Sequence, residues 1–154
     1  MNGELFIRMA TFDDLPIIVR MLADDFLGGE RENVEESISE NYLRAFREIE
    51  NDPNNELIVA DLDGNVVGIF QLTFTPSLSF QGSKRCTIES VRVDSNLRGQ
   101  GIGREMMLWA VERAKEKGCV SMQLTTHSDR KDAHRFYEGL GFKGTHLGMK
   151  LKLK

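Results

Sequence analysis

The sequence predicts an α/β protein, a mixed β-sheet with helices on both faces in the order β-α-α-β-β-β-α-β-α-β(-β). Three observations carry that prediction. Runs rich in β-branched and aromatic residues alternate with runs whose apolar residues recur at every third or fourth position. The dipeptide Asp63-Gly64 parts two neighbouring β-rich runs, and such a turn needs positive φ, so it marks a hairpin. The 154 residues hold no repeat, low-complexity tract or linker, so residues 1–154 are expected to form a single domain around one core.

Taken in order, residues 5–11 (LFIRMAT) read as a short strand. A helix is expected next: Thr11 suits an N-cap, Asp13 and Asp14 fall in the first turn, and Leu15, Ile18, Val19 and Leu22 repeat at helical spacing. Gly28 and Gly29 should end it. A second helix is expected over 34–49, where Ile38, Tyr42, Ala45, Phe46 and Ile49 form one stripe, closed by NDPNN. Residues 56–75 supply the hairpin strands, and 84–93 (KRCTIESVRV) a further strand. Over 103–117 a helix puts Met107, Ala110, Val111 and Ala114 on its inner face, with Gly118 at its end. CVSMQLTT from residue 119 is a strand, 132–140 a short helix closed by Gly141, and FKGTHLGMKLKL from residue 142 a last strand or hairpin.

Apolar residues make up 40% of the chain and charged residues 29%, ordinary values for a soluble globular protein. No apolar run nears the roughly 20 residues that cross a bilayer, and the start of the chain lacks a basic region followed by an apolar stretch, so no membrane is expected and the location is expected to be cytoplasmic. A net charge of -4 argues against a nucleic-acid partner. Cys86 and Cys119 are expected to be reduced core residues, and with no CxxC pair or metal-ligand spacing of His127, His134 and His146, no metal is expected.

Residues 97–103 read LRGQGIG, with Gly99, Gly101 and Gly103 at alternate positions between a strand and a helix. Glycine permits positive φ and leaves no Cβ in the way. Successive N–H groups then converge into an anion-binding concavity at the positive end of the helix dipole. Arg98 and Arg104 add cationic donors. A pyrophosphate suits such a site. The chain has no GxxxxGK[ST] run, and a GxGxxG fingerprint begun at Gly99 fails at Arg104. A tight turn without a ligand is the alternative.

The run Arg98-Gly99-Gln100-Gly101-Ile102-Gly103, preceded by IESVRV, resembles the [RQ]xxGx[GA] signature of the GNAT superfamily of acyl-CoA-dependent N-acetyltransferases. AHRFYEGLGF, residues 133–142, is similar to that family's AxxFYxxxGF motif. One helix and one strand lie between the blocks, as in the family, and the resemblance covers essentially the whole chain. It implies acetyl-CoA as co-substrate, with the pyrophosphate of coenzyme A on the loop from Arg98 to Arg104. It also implies that the strand carrying Val91, Arg92 and Val93 pairs with the pantetheine arm, and that Phe136 belongs to the cofactor site. Many members carry asparagine three residues before the motif's alanine. This chain has Arg130 there, which could reach a phosphate of coenzyme A instead.

Acetyl transfer to an amine needs a neutral amine, a donor for the oxyanion and a proton for the departing thiolate. Only about one part in a thousand of an alkyl ammonium is neutral near pH 7 to 7.5, so a base helps. Glu89 is the candidate base: it lies in TIESVRV, where burial would raise a carboxylate pKa, and the family often uses a glutamate on this strand. A solvent-facing or salt-bridged glutamate is the alternative. Tyr137, the tyrosine of the second motif, is implied as the acid, with core packing as the alternative. The expected oxyanion donor is a backbone N–H near Val91, Arg92 or Val93.

The resemblance places the acceptor between residues 26–33 and the last strands. Asp24, Asp25 and Glu30 could attract a cationic amine there, and Phe74, Phe80 and Trp109 could be pocket walls or core. Neither cysteine sits in a nucleophile setting, so direct transfer in a ternary complex is expected, to the primary amine of a small molecule. A protein or peptide amine and a non-catalytic acyl-CoA-binding regulatory module are the rivals. A DNA-binding regulator would want a basic recognition helix, which is not evident. A homodimer is expected from the resemblance, with MKLKLK as a pairing edge.

Overall fold

The computed structural model describes residues 3–24, 32 and 38–154. Among these, the strands pair in the order β1-β2-β3-β4-β5. β1 (Leu5–Met9), β2 (Asn55–Leu62), β3 (Asn65–Pro76) and β4 (Lys84–Val93) pair antiparallel to one another in succession, and β5 (Cys119–Gln123) runs parallel to β4. The sheet is mixed, as the sequence predicts. Asp63 and Gly64 make the β2–β3 turn with φ of 52° and 89°, and Gly64 N–H donates to Asp61 Oδ1 at 2.7 Å.

β1 stops at Met9 because Thr11 opens the next element. A turn of 3-10 helix, Phe12–Asp14, leads into α1 (Leu15–Ala23). The Asp14 carboxylate accepts from Thr11 N–H at 2.7 Å and from both terminal nitrogens of Arg8 at 2.8 and 3.1 Å, while Arg8 also reaches Asp61 on β2. The Arg8 hydrogen bond holds the Asp14 carboxyl below its ordinary value against the opposing cost of burial. α2 (Glu40–Glu50) is the second helix; residues 34–37, and Gly28 and Gly29, lie outside the described residues.

α3 (Ile102–Glu116) and α4 (Lys131–Gly139) follow close to the expected bounds. On one face of the sheet Phe70, Leu72, Phe74 and Ile88 pack against Ile102, Met106, Met107 and Ala110 of α3. On the other, Val59 and Ile69 meet Ile18 and Met21 of α1. Full burial of each large apolar side chain contributes about 1.5–3 kcal/mol, so these two layers are the main source of stability. A buried carboxylate joins sheet to helix: Glu56 of β2 accepts from Arg113 Nε of α3 at 2.8 Å and from its Nη2.

The last expected strand does not form. Residues 143–154 have no sheet partner, and Leu147, Met149, Leu151 and Leu153 are 84–91% exposed. The alternation of this segment gives it a strand's two faces, but a strand is held by a neighbour's hydrogen bonds and by a surface to cover. Among the described residues it has neither.

Candidate active site

The two halves of β4 differ. Its ladder with β5 ends at Thr87↔Gln123, so residues 88–93 keep only β3 as a partner. Glu89 pairs with Gln71 and Arg92 with Ile69, which sets Ser90 and Val91 opposite Phe70 alone, with Ser90 at φ 57°. This is a β-bulge, and it re-aims the strand. Before it, Cys86 and Ile88 point into the α3 core; after it, Val91 and Val93 do. The β5-facing edge of residues 88–93 is left without ladder partners among the described residues.

Glu89 and Ser90 stand exposed beside the bulge. The expectation that Glu89 is buried is not met, because alternation with the buried Cys86 and Ile88 sets it on the opposite, open sheet surface. That surface is polar. Gln71 Nε2 and Thr73 Oγ1 donate to Asn55 Oδ1 at 3.1 and 2.9 Å, and Gln123 Nε2 donates to Thr87 Oγ1 at 3.2 Å. Ala45 and Ile49 of α2 overlook Asn55 and Gln71 across a small cleft. The alternation of Gln71, Thr73 and Thr75 with Phe70, Leu72 and Phe74 was the sequence signal for this floor.

Past Val93 the Asp94 side chain accepts from Asn96 N–H at 2.9 Å and opens a short turn, Ser95–Leu97. The chain then reaches the glycine loop, where Arg98, Gly99, Gln100, Gly101 and Arg104 are all exposed. Gly99 and Gly101 have φ of 81° and 87°, and an added Cβ at either meets nothing within 4 Å, so backbone conformation rather than crowding calls for glycine. Gly101 is the N-cap of α3, without a side-chain cap. The first helical bond runs from Glu105 N–H to Gly101 O at 3.1 Å, which leaves the N–H groups of Ile102, Gly103 and Arg104 outside the helix ladder. Ile102 has its side chain buried in the α3 core, so only its backbone is offered. A Cβ on Gly103 would lie 3.5 Å from Phe136 and 3.6 Å from Val93, so loop, β4 and α4 meet here.

Tyr137 of α4 lies edge-on to Phe136 and Phe142, with ring centroids 5.2 and 5.9 Å apart. Burial pushes its hydroxyl up from the ordinary value, more than Arg92 and Arg130 pull it down. The phenol therefore holds its proton at neutral pH. Thr126, three residues past β5, has a buried hydroxyl without a hydrogen-bond partner among the described residues, and nothing in its sequence neighbours singled it out. Cys86 is pushed up to about 12 by burial and Cys119 upward by the same cause, so both thiols stay protonated.

Other expected residues lie apart or outside. Asp24 is exposed just past α1, while Asp25, Glu30 and residues 26–31 and 33 lie outside the described residues. Phe74 is core, and Trp109 packs edge-on to Phe70 at 6.0 Å. Phe80 is exposed in the β3–β4 turn. Among the described residues no cluster of His, Cys, Asp or Glu could hold a metal ion, and no helix is long and apolar enough to cross a membrane.

An uncapped glycine nest, at the end of a strand whose edge opens beside a carboxylate and a protonated phenol, fits a molecule with a pyrophosphate and an extended arm. A family model described as "Acetyltransferase (GNAT) family" matches residues 17–142. The chain belongs to this GNAT family. Over 96 residues it is 36% identical to an aminoalkylphosphonate N-acetyltransferase of Salmonella typhimurium, covering 62% of each chain. A glucosamine 6-phosphate N-acetyltransferase of Trypanosoma brucei brucei is 32% identical over 90 residues, 58% of this chain and 59% of that one. The GNAT chain thus spans only about three fifths of these curated relatives. Among solved structures, a transcriptional regulator from Bacillus halodurans C-125 is 55% identical with a TM-score of 0.95, covering 97% of this chain and 100% of that one.

Proposed function

We propose that this GNAT protein is an acetyl-CoA-dependent N-acetyltransferase, residues 1–154 acting as one domain, that transfers acetyl directly to the primary amine of a small molecule in a ternary complex. The observation that carries the reading is the open half of β4 running into the glycine nest. The names of the two curated relatives, both acting on small amines, support the acceptor class.

Acetyl-CoA, when bound, supplies the acetyl group as a thioester. Its pyrophosphate would rest on the N–H groups of Ile102, Gly103 and Arg104, with Arg98, Gly99, Gln100 and Gly101 shaping the nest and the guanidiniums of Arg98 and Arg104 adding charge. Val91, Arg92 and Val93 would present the strand edge that faces β5 to the pantetheine arm, with Phe136 and Arg130 beside it. Glu89, at the mouth of the opening, takes the proton of the ammonium directly or through water. The amine nitrogen then bonds to the acetyl carbon while a backbone N–H of residues 91–93 donates to the carbonyl oxygen. As the C–S bond breaks, Tyr137 would give its phenolic proton to the departing thiolate, and the second proton of the acylated nitrogen would pass through solvent to restore the phenol, while Glu89 releases its proton to water. Protonated Cys86 and Cys119 favour this direct route over an acyl-enzyme.

The name of the Bacillus halodurans structure favours a second reading, an acyl-CoA-binding regulatory module. Thiol release from acetyl-CoA, followed over a panel of amino sugars, aminoalkylphosphonates, polyamines and lysine peptides, separates the two. Turnover with a small amine and intersecting double-reciprocal lines are expected. Tight acetyl-CoA binding without turnover of any amine would favour the regulatory module, and turnover of peptides alone would replace the small-molecule acceptor.

A further inference from the structure

Glu89 has a cross-strand neighbour of its own length. Gln71 of β3 stands opposite it in the antiparallel ladder, on the same open face of the sheet. Side chains paired in this way leave the backbone roughly 4.5–5.5 Å apart. Gln71 is half-buried and lines the small cleft under Ala45 and Ile49 of α2, while Glu89 is exposed.

A charge at the end of the sheet decides which end of the Gln71 carboxamide is offered. The Asp52 carboxylate, in the turn before β2, can only accept hydrogen bonds. Its Oδ1 accepts from Asn54 N–H at 2.8 Å and its Oδ2 from Asn55 Nδ2 at 2.7 Å. With its nitrogen held by Asp52, Asn55 turns its oxygen to β3. There Oδ1 accepts from Gln71 Nε2 at 3.1 Å and from Thr73 Oγ1 at 2.9 Å. The nitrogen of Gln71 is thus held in its turn. Its Oε1, the accepting half of the carboxamide, takes a hydrogen bond from no described residue, and neither does the Glu89 carboxylate.

Building on the acetyl-transfer reading, we propose that Gln71 accepts a hydrogen bond from the attacking amine, that with Glu89 it selects primary over secondary amines, and that Asp52 and Asn55 act through it as positioning residues. An ammonium that has given one proton to Glu89 keeps two N–H bonds and one lone pair. Two acceptors that take both N–H bonds, each about 2.9 Å from the nitrogen, lie roughly 4.5–5 Å apart. That is the spacing of this cross-strand pair. One N–H donates to the carbonyl oxygen of the protonated Glu89 carboxyl and the other to Gln71 Oε1. Only the lone pair is left untied, and the lone pair must meet the acetyl carbon. An N-methyl amine keeps one N–H after the same proton loss, so its methyl group lies against Gln71 and leaves Oε1 unpaired. A carboxamide suits this place better than a second carboxylate, which would favour the charged ammonium and so oppose attack.

Thiol release by the full chain tests this with 2-aminoethylphosphonate, glucosamine and a lysine peptide, each beside its N-methyl derivative, at saturating acetyl-CoA. Gln71→Met keeps the length of the side chain and removes the acceptor. For the primary amines kcat/KM should fall about three- to tenfold, the worth of one net hydrogen bond, while the N-methyl amines change by less than about twofold. The KM for acetyl-CoA should match the wild type. Asn55 lies two strands from Glu89. Asn55→Ala should still lower the ratio of primary to N-methyl rates, by releasing the Gln71 carboxamide. Asn55→Asp, whose oxygen can accept from Gln71 Nε2, should restore it. The Asn55 pair decides alone if Gln71→Met fails to fold. An equal loss on both kinds of amine, or a loss on neither, would overturn the inference and leave acetyl transfer standing. A folded wild type that acetylates no primary amine would overturn both.

Discussion

The first half of β4, residues 84–87, is bonded to β3 and β5 and sends Cys86 into the α3 core; the second half, residues 88–93, is bonded among the described residues to β3 alone and leads on to the glycine loop. The halves belong to one strand of ordinary β-forming residues; the β5 ladder ends between them at Thr87, and a single left-handed serine, Ser90, then bulges the second half. Open backbone groups are costly when buried and dry, so a fold keeps them only where solvent or a ligand can meet them. Holding power and binding capacity are thus divided along β4. The closed half and its helix carry stability, and the open half is where the proposed site lies.

The largest break in that division is expected at the open end. Tyr137→Phe should lower kcat about 10²-fold or more, in the range of lost general acid catalysis, with acetyl-CoA affinity nearly unchanged; steady-state kinetics beside calorimetry would show the split. In the closed half, Arg113→Met leaves the Glu56 carboxylate buried, with Lys117 Nζ 4.0 Å away as partial compensation. A loss of about 2 kcal/mol is expected, or roughly 4–8 °C in Tm for a chain of this size, with acetyl-CoA binding intact. Glu89→Gln should cost about tenfold in kcat/KM at neutral pH, less than a buried base would, because solvent water can also accept the proton. A high-pH assay should recover part of the loss.

The smallest effect lies farthest from the site. Asp14, held below its ordinary 3.8 by Arg8, stabilises the folded state above that value, and the contribution fades as pH falls through the lower folded value. Asp14→Asn should therefore cost about 1 kcal/mol at pH 7. The two melting curves should converge in acid, once the pH has fallen through the lowered folded value.

Much of this was legible in the sequence. Asp63-Gly64 announced its hairpin because few residues tolerate positive φ, and residues 84–93 formed the strand as expected. The glycine loop was visible for the same conformational reason. The bulge was harder to see, since serine does not advertise a left-handed backbone. Its one sign was spacing: apolar residues at 86 and 88 are followed by 91 and 93, a break in period two. Glu89 stands outside by plain alternation with Cys86 and Ile88, which the apolar run TIESVRV masked. The Glu56–Arg113 pair joins residues 57 apart, which local pattern cannot foresee. The last strand failed for a related reason, because alternation specifies a face and not a partner.

The central claim is that the open half of β4 and its glycine nest hold acetyl-CoA. Its most direct test is a calorimetric titration of the wild type and of Gly101→Glu with acetyl-CoA, each first shown to be folded. A glutamate at φ 87° would place a carboxylate at the nest and repel the pyrophosphate. Micromolar binding by the wild type, lost in the variant, is the predicted result. A wild type that does not bind, or a folded variant that binds equally well, would contradict the account.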